Sequence, residues 1–131
     1  MFRVAYRSTL GAGVGEAEIL SIAERSVEKN RAAGLAGVWL LNGRRCLGGL
    51  EGDPRVLRHV IEQIWDDPRH NGFEVLDMRA RDKALFQAPF TLVRPQTLEK
   101  NPALAQDPGV VWLARFGDGL DTFFSPDTPG A

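Results

Sequence analysis

VWLLNGRRCLGGLEG, residues 38–52, is the stretch that decides how this chain folds. Val38 to Leu41 is an unbroken apolar run, Asn42-Gly43 is a strong hairpin signal, and Arg45 to Leu50 reads as the returning strand. Two neighbouring antiparallel strands are therefore expected. Everything else can be placed around them.

Upstream, Ile19, Leu20, Ile22, Ala23 and Val27 recur at helical spacing between Glu16 and Ala33, with Glu16 and Glu18 in the first turn and Gly34 just past the end. Before this helix, Phe2 to Ser8 is rich in strand formers and Thr9 to Gly15 is a glycine-dense loop. Downstream, Asp53-Pro54 supplies an N-cap and a first-turn proline. Val56, Leu57, Val60, Ile61, Ile64 and Trp65 then form a second apolar stripe that Pro68 stops, and Phe73 to Arg79 reads as a strand. The order is strand, helix, strand, strand, helix, strand: an α+β, ferredoxin-like βαββαβ arrangement with both helices on one face of a four-stranded antiparallel sheet. Phe90 to Val93 is a candidate fifth strand. Residues 1–94 form the domain proper, 95–124 are expected to pack on the other sheet face, and 125–131 to be a frayed tail.

Composition narrows the function classes. A chain of 131 residues, 44% of them hydrophobic, holds one domain with a real core. Sixteen basic against seventeen acidic side chains leave no general field to recruit nucleic acid or an anionic membrane. Arg3, Arg7 and Ser8 interrupt the apolar run that a signal peptide needs, and no stretch reaches spanning length, so the expectation is a cytoplasmic protein with neither nucleic-acid nor membrane partners. The single cysteine, Cys46, excludes an internal disulfide and a cysteine-built metal site.

Four short blocks then carry a resemblance over about Arg3 to Val93. They are Val4-Ala5-Tyr6-Arg7-Ser8, Asn30 with Gly34-Leu35-Ala36-Gly37, Leu50-Glu51-Gly52, and Asp67-Pro68-Arg69-His70. Each is weak alone. In this order and spacing they resemble the BLUF family, flavin-binding blue-light sensors. The resemblance implies FAD as cofactor, with its isoalloxazine between the two helices and the sheet, a homodimer, and a downstream regulatory protein as partner. Tyr6 matches the family's electron-donating tyrosine, Asn30 the asparagine at the ring's carbonyl edge, and Arg69 with His70 a basic pair near the ribityl and phosphate chain. Helix geometry adds that Asn30 lies near the direction of Ile19 and Ala23, on the core side. The alternative for Asn30 is a helix-end amide bonding nearby backbone carbonyls. For Arg69 and His70 it is solvated surface, and the same holds for Lys29 and Arg31.

One departure bears on function. Counting back from Leu50-Glu51-Gly52, the family's photochemical glutamine falls on Gly48, which has no amide to donate and accept hydrogen bonds. The tryptophan and methionine that relay its state align with Pro89 and Thr91. The expectation is a BLUF-like FAD-binding regulator unable to run the family's blue-light cycle. Gly48-Gly49 in mid-strand leaves a hole beside the flavin site, so the pair either accommodates a close approach or marks a relaxed site. Cys46 shares the strand face of Gly48, where a buried thiol acts as a small hydrophobe more often than as a flavin adduct.

Two rival readings remain. Gly11-Ala12-Gly13-Val14-Gly15 precedes a helix N-terminus, as a phosphate-binding enzyme would require, yet no glycine stands three residues after Gly13, and the distal acid and the lysine of the known phosphate loops are absent. No nucleophile, base and orienter assemble from His59, His70, Cys46 and the serines, so the chain is not expected to be an enzyme. The other rival is an apo scaffold that binds a protein partner without flavin.

Overall fold

The computed structural model describes residues 1–126; most of the expected tail, 125–131, lies outside the described residues. Five strands form one sheet in the order β4-β1-β3-β2-β5. They are β1 (Phe2–Leu10), β2 (Ala36–Asn42), β3 (Arg45–Gly52), β4 (His70–Ala80) and β5 (Thr91–Val93). The first four pair antiparallel and β5 runs parallel to β2, so the expected ferredoxin-like layout gains its fifth strand. All four antiparallel strands exceed their expected bounds, most at the β1–β4 edge: β1 continues to Leu10, and β4 begins at His70 because Leu10 pairs with His70 and Thr9 with Asn71. His70 therefore sits on a strand and not in a loop.

The hairpin forms, with its turn one residue later than the Asn-Gly signal implies. Asn42 still pairs with Arg45, so Gly43 and Arg44 are the central residues, and Gly43 takes φ 59°. Glycine at the first central position is the type II′ solution, which matches strand twist. Asn42 is thus free of the turn, and its amide donates to the carbonyls of Phe123 and Ser125 at the end of the chain.

Helices α1 (Glu16–Ala33) and α2 (Pro54–Asp66) cover one face. Gly34 ends α1 in the left-handed region at φ 71°, and Asp53 caps α2 by accepting from the Arg55 amide at 2.8 Å. Strand alternation sends Val4, Tyr6, Trp39, Cys46 and Leu50 toward these helices, where they meet Leu57 and Ile61 of α2 and Ile19 of α1. Ala5, Val38, Leu40, Leu47 and Val93 project to the other face. There they bury against Phe86, Val110, Trp112, Leu113 and Phe123. The segment after residue 94, with α3 (Pro95–Lys100), α4 (Pro108–Ala114) and α5 (Leu120–Phe123), is therefore the second layer that the sequence predicts.

A buried ion pair ties the β4–β5 connection to the sheet. Arg3 and Glu51 face each other across β1 and β3, 5% and 3% exposed, with Nε donating to the carboxylate at 2.6 Å. Glu51 also accepts from the amides of Leu85 (3.0 Å) and Phe86 (2.8 Å), which fixes the connection between β4 and β5. A buried pair survives desolvation only with such additional bonds.

Candidate functional site

A cavity of about 510 Å³ lies between α1 and α2 above the middle of the sheet. Tyr6 from β1, Asn30 from the last turn of α1 and Trp39 from β2 form its inner wall, and Arg69 and His70 stand at the end of α2. Ile22, Val60, Ile64 and Phe90 make the remaining lining mostly apolar. Four of the five residues singled out from sequence thus converge on one space. Gly48 does not reach it.

Gly48 lies under Tyr6. Across the three central strands Tyr6 and Trp39 each pair with Gly48, and a Cβ built at residue 48 would overlap the Tyr6 ring at Cζ, Cε2 and the hydroxyl. No hole is left at this position. The ring occupies the volume that a side chain would take, and its outer face stacks on Phe73 at 5.2 Å between centroids. Gly49 repeats the arrangement on the opposite face, where a Cβ would stand 2.7 Å from Phe86 Cζ. Of the two readings of the glycine pair, close approach is the one realised.

Asn30 and Ile19 are the two buried residues of α1, as helix geometry requires. The Asn30 amide nitrogen donates to the Pro89 carbonyl at 2.8 Å. This partner is 59 residues away, so Asn30 holds the β4–β5 connection against α1 and is not a local helix-end cap. Burial pushes the Tyr6 phenol far above its usual range, so it stays protonated.

The basic pair is engaged within the protein. Arg69 forks onto Asp67, with Nε 3.0 Å from one oxygen and Nη2 2.5 Å from the other, and Nη1 lies 3.6 Å from Glu18. The hydrogen bond to Asp67 is the main reason its guanidinium titrates above the usual value, and it holds the Asp67 carboxyl down to about 2. His70 shares a 2.9 Å hydrogen bond between Nδ1 and the Ser8 hydroxyl, and burial lowers its pKa despite the nearby Asp67 carboxylate. Lys29 is exposed at the cavity lip and has no ion-pair partner among the described residues.

Cys46 packs among Leu10, Ile19, Trp39 and Leu41, away from the cavity lining, and burial pushes its thiol up to about 11. It behaves as a small hydrophobe. Sequence reasoning missed Trp39: it is 2% exposed and lines the cavity. A tryptophan inside an apolar strand reads as ordinary core, and its indole comes to the cavity through pairing with Gly48.

Residues 1–89 match the family model described as BLUF, sensors of blue-light using FAD. This chain belongs to the BLUF family. Its fold is similar to BlrB, a BLUF protein in its dark state (25% identity, TM-score 0.70, covering 79% of this chain and 80% of that one). It is also similar to BlsA in its ground state (22% identity, TM-score 0.69, 80% and 72% covered). A third similar structure is a bacterial light-regulated adenylyl cyclase (21% identity, TM-score 0.67), of which this chain spans only 32%. No curated protein sequence matches. No helix among the described residues is long and apolar enough to cross a membrane.

The cavity suits the flavin that the family implies. Its apolar side walls fit the faces of a planar ring, and an amide and a phenol offer hydrogen bonds to a polar edge, the combination expected of a small-molecule site of this size.

Proposed function

We propose that this domain is a regulatory flavoprotein that holds FAD in the cleft between α1 and α2 and does not run the family's blue-light cycle. Tyr6 and Asn30 would meet the ring's polar edge, with Trp39, Ile22 and Ile64 against its faces. Because Arg69 already has Asp67 and Glu18 as partners and His70 bonds the Ser8 hydroxyl, the exposed Lys29 is the cation left for the phosphate chain. Bound flavin would supply absorption of blue light and an electron acceptor.

The observation that carries the loss of the switch is the Tyr6 ring over Gly48. What supports this is that a Cβ at residue 48 would overlap the phenol, so the ring stands where an amide's side chain would have to begin. A glycine peptide cannot turn on a side-chain tether, and a phenol carries donor and acceptor on a single oxygen, so neither can exchange a separate N–H donor and C=O acceptor as a rotating amide does. Partners are expected to be effector domains or proteins, as in the relative that is a cyclase, and a second copy of this chain.

Absorption spectroscopy tests this. The protein loaded with FAD should show a flavin spectrum without a reversible red shift on blue illumination. A shift that recovers in the dark overturns the loss of the switch. Protein that takes up no flavin overturns cofactor binding and leaves the apo scaffold.

A further inference from the structure

A second cavity, of about 600 Å³, opens on the opposite face of the sheet, where the β1–β4 edge meets the C-terminal cover. Arg3, Arg79, Arg81 and Arg115 line it, against a single lining carboxylate, Asp77. This is a local excess of positive charge in a chain whose formal net charge is -1.

The arginines are held there by the fold. Arg3 and Arg79 are direct cross-strand partners, a like-charge pairing that destabilises a sheet unless something neutralises it. Asp77 accepts from Arg79 Nε at 2.8 Å and from Arg81 Nη2 at 3.2 Å, and so answers two of the four. Glu51 answers Arg3, but its carboxylate is also engaged by two backbone amides. Arg3 is fixed further by donating to the Lys83 carbonyl at 2.7 Å and by lying over the Trp112 ring at 5.2 Å. Two donors remain. Arg81 Nε is buried without a hydrogen-bond partner, and the exposed Arg115 has no ion pair among the described residues.

The geometry points to a binding site for a small organic phosphate carrying at least two negative charges. Planar guanidinium forks match phosphate oxygens, and the donors of Arg81 and Arg115 that no carboxylate among the described residues takes lie here beside the exposed Arg79. The volume admits a ligand much larger than a simple ion, and Phe116 and Leu76 give it an apolar wall. Arg79 belongs to β4 and Arg81 follows it, whereas Arg115 belongs to the cover, so a bound phosphate clamps the cover to the sheet edge.

The probe is inorganic pyrophosphate, titrated into the full chain at low salt and followed by the indole N–H resonances of Trp39, Trp65 and Trp112. Binding should move Trp112 and leave Trp39, which lines the other cavity, in place. Arg115→Gln and Arg79→Gln, both at exposed side chains, should each weaken binding about tenfold, while Arg58→Gln on the outer surface of α2 should not. Three results would overturn the proposal: no saturable binding at millimolar pyrophosphate, equal affinity in all three variants, or a response at Trp39 in place of Trp112. The last would mean that pyrophosphate enters the flavin cleft.

Discussion

A single methyl group at residue 48 tests whether the glycine is required for space. Judged by backbone preference, Gly48→Ala in the middle of β3 should stabilise the fold by about 0.5–1 kcal/mol, since glycine loses the most entropy on ordering. Packing opposes this, because the new Cβ enters the ring of Tyr6, itself backed by Phe73. Overpacking of a tight core costs about 1–3 kcal/mol, so the packing term wins and the net loss should be about 1–2 kcal/mol. For a domain of this size that is a fall in Tm of about 3–10 °C, within reach of calorimetry or thermal circular dichroism. The decisive measurement is the double-mutant cycle with Tyr6→Ala. With the ring gone, Gly48→Ala should become neutral or stabilising, a coupling of about 1.5–3 kcal/mol. A variant that is more stable with Tyr6 present, or a cost that persists without it, would refute the reasoning. Gly48→Gln brings the same Cβ, so on its own it should return at most a partial photoresponse.

Three further outcomes are expected. Glu51→Ala strands the Arg3 charge in the interior and should cost about 3–5 kcal/mol in urea denaturation; a loss below 1 would show that the pair contributes little. Asp67 titrates at about 2 in the fold against an ordinary 3.8, so its bond to Arg69 stabilises the protein above pH 4 and is lost as pH falls toward 2. Asp67→Asn should accordingly remove part of the acid sensitivity of Tm between pH 4 and 2, and an unchanged profile would count against the pair. Asn30→Ala should weaken FAD binding by about 1–3 kcal/mol and Lys29→Ala by less than about 1, measured by titrating apoprotein with the flavin. Equal losses would reduce Asn30 to its bond with Pro89.

The elements of this fold could be read from local pattern, because helix periodicity, capping and hairpin signals act over a few residues. The stripe from Val56 to Trp65 and the cap at Asp53 gave α2, and the direction of Asn30 followed from 100° per residue along α1. Strand ends were less accessible. His70 joins β4 only because Leu10 lies opposite, and the Asn42-Gly43 turn shifted by one residue so that Asn42 could hold the carbonyls of Phe123 and Ser125.

By itself the sequence placed Tyr6, Asn30, Arg69 and His70 on the elements that border the cleft and put a glycine at residue 48, since both follow from residue identity at given places on given elements. What fills the volume above Gly48, which carboxylates occupy Arg69, and that Trp39 joins the cleft wall were decided by the tertiary structure. So was the gathering of Arg3, Arg79, Arg81 and Arg115 from three distant segments into one pocket. Those facts depend on which side chains meet across strands and layers, and a close-packed interior settles that only when all its parts are placed together.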